Sequence, residues 1–424
     1  MRLSRPEASG ASKYLQTPPH ECECAMTLPD HRIIIVGAGP VGLFTALRLS
    51  EFGIESLVLE SDPELQDDLR ASTFHPPTLD MLEAYGITQK LLDAGRICPT
   101  WQIRMHTTGD RAEFDLSILE GETSHPYRLQ CEQSKLCRFL LEELERRDNV
   151  EVRFGNEVTA VNDVSDKVQV TVRCRGVEEI LSAAYVIGAD GARSIVRKTM
   201  GSSFEGVTYP ETTILATTRF RFEDHLENLS GINYVWKPGG TFTLLHLPDL
   251  WRCSLYPDQG ETVEEAMLSS SIERKLQQIC PKDTPYEVME VRPYRLHMRI
   301  VDDYRNGRLV LVGDAAHLNS PSGGMGMNGG LHDAFVLTDK FRQIEEGGCE
   351  SLLDQYTRQR RPVAHEQILK QADGNRKRMQ ERDPEKRQAA FEQLLDTIAD
   401  QEKCKAFLMN SSMITGWRRS QAIQ

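Results

Sequence analysis

The chain has 424 residues, with 63 acidic and 50 basic side chains and a formal net charge of -13 at pH 7. Nucleic-acid binding requires a basic face, so this charge disfavours a nucleic-acid partner. No run of about 18 apolar residues is present, so we expect no membrane span. Ten cysteines are scattered along the chain, which favours a reducing compartment, the cytoplasm, over a disulfide-linked scaffold. A chain of this length is expected to divide into domains that share a cleft.

Residues 1–30 lack the apolar core of a signal peptide and are expected to form a disordered polar extension. Met26 precedes the first predicted strand and is a second candidate for the natural start of the chain. Cys22 and Cys24 lie too close together, without further ligands nearby, to predict a zinc site. We therefore expect no metal centre.

A dinucleotide-binding pattern opens the first predicted domain. The apolar run Ile33–Val36 predicts a strand, residues 43–50 predict a helix, and a glycine-rich turn separates them: Gly37, Gly39 and Gly42. The first glycine permits a tight turn, the second lets a pyrophosphate approach the backbone, and the third allows close packing of helix on sheet. A second apolar run, Ser56–Leu59, ends at Glu60, where such units place an acid for an adenosine ribose. The pattern predicts an adenine dinucleotide and leaves FAD and NAD open.

The middle of the chain contains both helical and strand patterns. Helices are predicted over residues 75–95 and 132–147, and strands over residues 150–154, 158–161, 168–172 and 180–187. The last strand is expected to return to the nucleotide-binding sheet and to present Asp190 and Gly191 at its end. From residue 212 to 300 the pattern changes to strands rich in β-branched and aromatic residues, with a helix near 262–279. We interpret this region as a substrate domain whose sheet roofs the cofactor.

A later segment, residues 308–330, distinguishes FAD from NAD. Residues 308–312 predict a buried strand that delivers Gly313 and Asp314 to its carboxyl end, where open α/β sheets bind ligands. Five glycines between residues 321 and 330 would let backbone N–H groups approach a planar ring. A helical pattern begins at about Asn328, so the positive end of its dipole would point into the same cleft. That field favours the negative charge of a reduced flavin, whereas an oxidised nicotinamide is positive and would gain nothing.

The predicted architecture is an α/β fold with a Rossmann-type FAD-binding domain, an interleaved β-sheet substrate domain and a helical C-terminal part. The FAD-binding domain is expected at residues 31–200 and 301–375. The substrate domain is expected at residues 201–300, and the helical C-terminal segment at residues 376–424.

In order and spacing, these motifs resemble the class A flavoprotein monooxygenases, the single-component aromatic hydroxylases typified by 4-hydroxybenzoate 3-hydroxylase. The resemblance covers roughly residues 26–375. It implies that the ADP half of FAD is bound by Gly37, Gly39, Gly42 and Glu60. It also implies that Asp190 and Gly191, with Arg193, serve both FAD and the passing nicotinamide cofactor.

Three further matches complete the cofactor site that the resemblance implies. Asp314, in the pair that it forms with Gly313, would contact the ribityl chain of the flavin. Arg70 would meet the FAD phosphates. Gln133 would open a helix beside the flavin.

The resemblance also implies an activity. NAD(P)H would reduce the flavin, oxygen would add at flavin C4a, and the resulting hydroperoxide would hydroxylate an electron-rich aromatic ring. Water must be kept from that group, and the candidate wall is Pro321 with the backbone of residues 323–328, which includes Gly326, Met327 and Asn328. The expected partners are a small aromatic substrate, O2 and a transient NADH or NADPH, which no second GxGxxG motif would retain. The enzyme is expected to be a monomer or a homodimer.

A phenol reacts faster as its phenolate, so a base is expected in the substrate domain. Tyr234 and His246 lie on predicted strands that should face the flavin and are the first candidates. Tyr256 and His75 are the others. No family motif marks this position, because substrate-binding residues vary with the substrate.

Two alternatives stay open at this point. A flavin halogenase would share the nucleotide-binding motifs, but that family carries a WxWxIP segment and the four tryptophans here form no such pair. A flavin-binding redox sensor, or another flavin oxidoreductase, is the second alternative. A sensor would need no second enclosed cavity, so a substrate domain of about ninety residues counts against it.

Overall fold

The computed structural model describes residues 33–67, 71–164 and 166–424, so the predicted extension at residues 1–30 and the predicted phosphate contact Arg70 lie outside the described residues. In chain order, the strands within these ranges are β1 (Ile33–Val36), β2 (Ser56–Leu59), β3 (Thr73–Phe74), β4 (Arg96–Cys98), β5 (Thr100–Met105), β6 (Arg111–Asp115), β7 (Arg128–Gln130), β8 (Val150–Arg153), β9 (Asn156–Val164), β10 (Lys167–Cys174), β11 (Val177–Ala183), β12 (Tyr185–Gly188), β13 (Glu205–Thr218), β14 (Ile232–Lys237), β15 (Gly240–His246), β16 (Trp251–Leu255), β17 (Val288–Ile300), β18 (Arg305–Asn306), β19 (Leu309–Leu311) and β20 (His317–Leu318). The helices are α1 (Pro40–Glu51), α2 (Pro76–Glu83), α3 (Ile87–Ala94), α4 (Gln133–Leu144), α5 (Ile195–Thr199), α6 (Val263–Ala266), α7 (Ser269–Ile279), α8 (Met325–Glu345), α9 (Leu352–Val363), α10 (Lys370–Gln380), α11 (Pro384–Ala399), α12 (Gln401–Ser411) and α13 (Ile414–Ala422).

The first sheet has the strand order β18-β19-β12-β1-β2-β8. Its central strands β1, β2, β12 and β19 are buried along their whole length, as expected for parallel strands covered on both faces. β1 pairs in parallel with β2 and β12, and β12 pairs in parallel with β19. The turns that follow Val36, Gly188 and Leu311 therefore lie side by side at the carboxyl edge of the sheet. The predicted Rossmann-type sheet is confirmed.

Three consecutive strands, β9, β10 and β11, form a small antiparallel sheet of their own. In the chain they come after β8 and before β12, which both belong to the first sheet. The sequence predicted one strand over residues 180–187, but the chain leaves the small sheet after Ala183 and enters the first sheet at Tyr185. The break at Ala184 arises because β11 runs antiparallel to β10, whereas β12 runs parallel to β1. A continuous apolar run does not reveal that its two halves pair with different sheets.

The second sheet has the strand order β20-β17-β13-β16-β15-β14-β5-β6. The sequence predicts the strands of this sheet within residues 201–300, but β5 and β6 come from residues 100–115, which lie in the range predicted for the FAD-binding domain. β5 joins this sheet because it pairs in parallel with β14, where Ile103 lies beside Tyr234. A pairing between residues so distant in sequence leaves no local pattern.

The two faces of the second sheet pack against different helices. Phe242 and Trp251 point to one face and pack with α6 and α7. Trp101 and Trp236 point to the other face and pack with residues of α11 and α12 such as Leu408. The C-terminal helices therefore cover one face of this sheet.

The chain after α8 is helical, which confirms the predicted helical C-terminal part. A π-helical stretch, Ala364–Leu369, joins α9 to α10. In α13, the Trp417 ring packs edge-on against the Phe335 ring of α8, with ring centroids 5.4 Å apart. Within the described ranges, every helix is too short or too polar to cross a membrane.

Candidate active site

The glycine turn after β1 leaves the first turn of α1 open to a ligand. Gly37 has a φ of +104°, and a Cβ atom there would lie 2.6 Å from the carbonyl oxygen of Ala189. A Cβ atom on Gly42 would lie 2.0 Å from the carbonyl oxygen of Gly37, so both positions require glycine. At Gly39, by contrast, a Cβ atom would meet no described atom within 4 Å, and no side chain caps the helix. The N–H groups of this first turn therefore face open space, as an anion site at a helix N-terminus requires.

Glu60 lies beside this turn, directly after β2. One of its carboxylate oxygens accepts a hydrogen bond from the backbone N–H of Ala38 at 2.8 Å. The other accepts from the N–H of Asp62 at 2.9 Å and from the hydroxyl of Ser61 at 3.1 Å. These bonds hold the carboxylate where the sequence predicts the adenosine ribose.

Asp190 follows β12, next to the glycine turn. Its Oδ2 atom accepts a hydrogen bond from the N–H of Ile195 at 2.7 Å, which fixes the start of α5. Its Oδ1 atom is buried without a hydrogen-bond partner among the described residues, and burial raises the pKa of the carboxyl. Gly191 has a φ of +69°, and Arg193 beyond it is exposed. Asp190 therefore keeps an acceptor atom that a ligand could use.

Gly313 and Asp314 follow β19, on the other side of β12 from the glycine turn. Gly313 has a φ of +59°, and Asp314 is exposed. A Cβ atom on Gly330 would lie 2.6 Å from Val41 Cγ2 and 3.0 Å from Gly313 Cα, so only glycine allows α8 to approach α1 this closely. This approach brings the N-terminal turns of two helices to one cleft, which favours a ligand with negative charge.

A buried ionic network supports the Gly313 turn. Asp333 of α8 accepts hydrogen bonds from Nε2 of His317 at 2.7 Å and from Nε of Arg360 at 2.6 Å. The same carboxylate accepts the backbone N–H of Gly313 at 3.2 Å. Burial acts to raise the pKa of Asp333, but the charges of Arg360 and His317 outweigh it and lower the pKa, so the carboxylate is ionised. The network was not predicted, because its members are far apart in sequence and form no motif.

The glycine loop, residues 321–328, is held from the side of β3. The imidazole Nε2 of His75 donates to the carbonyl oxygen of Gly323 at 2.7 Å. The Asn328 amide accepts from the N–H of His75 at 2.9 Å, and donates to the carbonyl oxygens of Thr73 at 2.8 Å and Gly324 at 2.7 Å. Burial holds the pKa of His75 well below its usual value, so the ring is neutral. His75, a predicted candidate base, thus holds the loop in place.

The remaining residues predicted to contact the flavin lie either in the glycine loop or at the start of α4. Pro321 is exposed, whereas Gly326 and Met327 lie in the first turn of α8, where Met327 is buried. Gln133 is half-buried at the start of α4, and its N–H donates to the carbonyl oxygen of Ala71 at 2.9 Å. No hydrogen bond joins Gln133 to the glycine loop within the described residues.

A cavity of about 180 Å³ lies between the second sheet, the glycine loop and the C-terminal helices. Gly323 and Met325 of the glycine loop form part of its wall. The Trp101 ring, another part of the wall, stacks on Phe114 with centroids 4.5 Å apart, and on Phe407 of α12 with centroids 6.1 Å apart. Packed aromatic rings therefore form part of the cavity wall, directly beside the loop where the sequence predicts the flavin.

Tyr234 is the predicted catalytic candidate that the structure places in this cavity. Burial raises the pKa of its phenol, whereas the Arg128 guanidinium, the N–H of Gly323 and the charge of Arg378 act in the opposite direction. Tyr256 is close enough to Tyr234 for the two to interact electrostatically, but it is not among the described residues that line the cavity.

His246, the other leading candidate for the base, is not brought to the cavity. Tyr234 pairs with Thr243 across β14 and β15, so the side chain three residues further along β15 points to the opposite face of the sheet. There the His246 ring stacks on Trp251 with centroids 4.1 Å apart, and burial lowers its pKa to about 4. Two-residue periodicity alone could not have shown this, because the two residues lie on different strands and their faces are related only by the pairing of β14 with β15.

Most of the lining residues were missed from the sequence, among them Arg128, Arg378 and Phe407. A lone arginine carries no local signal of what it faces. For Phe407 the available signal was the apolar face of α12, which indicates burial but not the surface that it covers.

The fold and the cleft define a protein that binds an adenine dinucleotide and encloses an aromatic ligand beside it. Comparison with known proteins narrows this class. Residues 30–372 match the family model described as an FAD binding domain. The 6-hydroxy-3-succinoylpyridine 3-monooxygenase of Pseudomonas putida is 35% identical over 355 residues, which cover 83% of this chain and 90% of that protein. The para-nitrophenol 4-monooxygenase of a Pseudomonas species is 32% identical over 393 residues, covering 91% of this chain and 96% of that protein.

The crystal structure of p-nitrophenol 4-monooxygenase from Pseudomonas putida superposes with a TM-score of 0.85 and 29% identity, covering 91% of this chain and 98% of that one. The chain belongs to the FAD-dependent aromatic monooxygenases, and the resemblance inferred from its motifs is confirmed. It is therefore an enzyme that uses FAD and NAD(P)H to hydroxylate an aromatic compound, and the sensor and halogenase alternatives are set aside.

The residues that surround the cleft fit FAD. The first turn of α1 is uncapped beside Gly39, the Oδ1 atom of Asp190 lacks a partner, and Asp314 is exposed in the same cleft. When bound, FAD takes a hydride from NAD(P)H and delivers one oxygen atom of O2 to the substrate. The chain itself must then bind both molecules, orient the ring and keep water out.

Proposed function

We propose that the enzyme hydroxylates a phenol or a hydroxypyridine bound in the cavity beside the glycine loop. The observation that carries this proposal is the shared wall, because Gly323 and Met325 belong both to the cavity and to the glycine loop. The names of two relatives, which are monooxygenases of para-nitrophenol and of 6-hydroxy-3-succinoylpyridine, support a small hydroxylated ring as the substrate.

For the cofactor, we propose the residues that the sequence identified. The α1 turn at Gly39 would bind the pyrophosphate, Glu60 the adenosine ribose and Asp314 the ribityl chain. Asp190 and Gly191 would lie where FAD and the visiting NAD(P)H meet. This assignment is supported by the parallel pairing of β1, β12 and β19, which gathers these turns at one edge of the first sheet.

Within the cavity, Trp101 and Phe407 would orient the substrate by stacking on its ring. Helices α10 and α12, which contribute Met379 and Phe407 to the wall, would exclude water from the reacting atoms. Substrate stacking and water exclusion would be the same whether NADH or NADPH supplies the hydride.

The proposed function is tested with FAD-loaded enzyme, NADH or NADPH, 18O2 and a panel of rings that includes 4-nitrophenol and 3-acyl-6-hydroxypyridines. We expect mass spectrometry to find one 18O atom in the aromatic product of at least one ring. Consumption of NAD(P)H that yields only hydrogen peroxide with every ring would contradict the proposal.

Phe407→Ala should raise the KM for the substrate about 2- to 12-fold, because it removes an aromatic stacking surface worth about 0.5–1.5 kcal/mol. Steady-state kinetics with the best ring from the panel checks this expectation. Phe391→Ala is the matched control, since Phe391 packs in the same core but does not line the cavity. An equal rise in KM for both variants would show that the effect arises from loosened packing of the C-terminal helices.

We also propose that the enzyme works in the cytoplasm as a monomer or a homodimer. The cysteines in the described residues are all free thiols, which suits a reducing compartment. Light scattering of the purified enzyme determines the oligomeric state directly.

A further inference from the structure

Two arginine side chains line the cavity without a carboxylate partner. Arg128 on β7 is 3% exposed, and its Nη2 atom donates to the carbonyl oxygen of Ser411 at 3.1 Å. Its Nε atom is buried with no hydrogen-bond partner among the described residues. Arg378 on α10 donates to the Asn375 side chain at 3.2 Å. In the part of the chain that the structure describes, neither guanidinium forms a salt bridge.

A buried cation without a counter-ion is costly, because the low-dielectric interior does not replace the water that it loses. Burial lowers the pKa of both arginines, yet a guanidinium remains protonated in proteins. An anion that enters the cavity would recover part of this cost. The cavity is therefore better suited to a negatively charged ligand than to a neutral one.

The cavity also lacks an obvious base. None of the described residues that line it is a histidine or a carboxylate. Burial raises the pKa of the Tyr234 phenol, so this side chain is neutral at physiological pH and carries no negative charge with which to take a proton. A neutral phenol in this cavity would have no neighbouring group ready to take its proton.

We propose that the cavity binds its aromatic substrate already ionised, as the phenolate, with Arg128 as the residue that selects the anion and Arg378 as a second, weaker cation. This rests on the proposed function, which assigns the cavity to the substrate. The protein then needs no base among the lining residues, because two fixed positive charges favour the phenolate over the phenol. The substrate class narrows to acidic phenols and hydroxypyridines, whose ring substituents withdraw electrons.

The test measures the ionisation of a bound ligand. FAD-loaded enzyme is titrated with 2-fluoro-4-nitrophenol, and with its methyl ether as a neutral analogue, and 19F NMR reports binding and distinguishes phenol from phenolate without interference from flavin absorption. We expect the pKa of the bound phenol to lie at least about one unit below its pKa in water, which corresponds to a preference of about tenfold or more for the anion. Arg128→Met should weaken phenolate binding by about tenfold or more and change binding of the ether less than about threefold. Arg378→Met should act in the same direction with a smaller effect.

Arg104→Met is the matched control, because Arg104 on β5 is also buried and donates to the carbonyl oxygen of Glu227 at 2.6 Å, but does not line the cavity. It should leave the ionisation of the bound phenol unchanged. Thermal unfolding without ligand checks that Arg128→Met keeps its fold, because the substitution also removes the hydrogen bond to Ser411 and the contact of the guanidinium with the Trp101 ring, 5.1 Å from the ring centroid.

The proposal is overturned if the wild type binds neither ligand, if the bound phenol is protonated, or if Arg128→Met weakens binding of the ether as much as that of the phenolate. These outcomes are distinguishable from failure of the proposed function. Phenolate binding that depends on Arg128, without any 18O-labelled product, would contradict the proposed function only. If the enzyme forms labelled product but Arg128→Met binds the phenolate as tightly as the wild type does, only this inference is contradicted.

Discussion

Asp333→Asn should lower the free energy of unfolding by about 3–5 kcal/mol, the usual cost of removing one partner from a buried ion pair. The substitution keeps the volume of the side chain but leaves the Arg360 guanidinium, which is 0% exposed, without its counter-ion. It also weakens the acceptor of the Gly313 N–H, so the turn that carries Asp314 should loosen and FAD should bind less tightly. Urea denaturation without FAD measures the first effect, because bound FAD would add its own binding energy to the stability, and FAD titration measures the second.

The matched control is Asp339→Asn on the same helix. Asp339 pairs with Arg342 at 2.9 Å on the surface, with 36% of its side chain exposed, so its loss should cost less than about 1 kcal/mol. The pH dependence gives a further check. The pKa of Asp333 is lowered in the folded state, so its stabilising effect is complete above its unfolded pKa of about 3.9 and is lost as the pH falls through the folded pKa. The difference between wild type and Asp333→Asn should therefore shrink below about pH 4, and a difference that grows there would contradict the ionic network.

Gly39→Ala should weaken FAD binding roughly 10- to 100-fold and leave the fold intact, which corresponds to the loss of one or two charge-assisted hydrogen bonds. Gly39 has a φ of -70°, which alanine adopts without strain, and a Cβ atom there would touch no described protein atom within 4 Å. The added methyl group would instead occupy the space in which we place the pyrophosphate. Titration of the apoenzyme with FAD, followed by the quenching of flavin fluorescence, measures the change.

Gly240→Ala controls for a glycine-to-alanine change as such. A Cβ atom at Gly240 would lie 3.6 Å from Lys237 Cε, an ordinary contact, on a strand of the second sheet. This variant should bind FAD as the wild type does. If Gly39→Ala also keeps wild-type affinity, the pyrophosphate does not lie against the α1 turn and the proposed cofactor site is wrong.

The cofactor-binding half of the fold could be predicted because its signals are local. One short stretch of chain contains the apolar run Ile33–Val36, the glycines after it and Glu60. The glycines are recognisable because the backbone requires them, as the positive φ of Gly37 shows. The strand before Gly313 is equally self-contained. The same reasoning could not show that residues 180–187 divide at Ala184, because the division depends on which sheet each half joins.

The substrate half could be predicted only in part. The strand that carries Tyr234 was predicted, but its partner β5 lies more than 100 residues earlier in the chain, within the range predicted for the FAD-binding domain. Helices α10 and α12 form part of the cavity wall by packing over the sheet. The roles of Arg378 and Phe407 therefore depend on tertiary packing and could not be predicted from the local sequence. Arg128 was missed for the same reason, since a buried cation and a surface cation look alike in a sequence.

A crystal structure of the enzyme with FAD and a bound phenol tests the central assignment most directly. We expect the pyrophosphate at the first turn of α1 beside Gly39, the flavin ring against the glycine loop, and the phenol in the adjoining cavity lined by Tyr234 and Arg128. A phenol bound in any other cavity, or a flavin ring lying away from Gly323 in the substrate complex, would contradict the account.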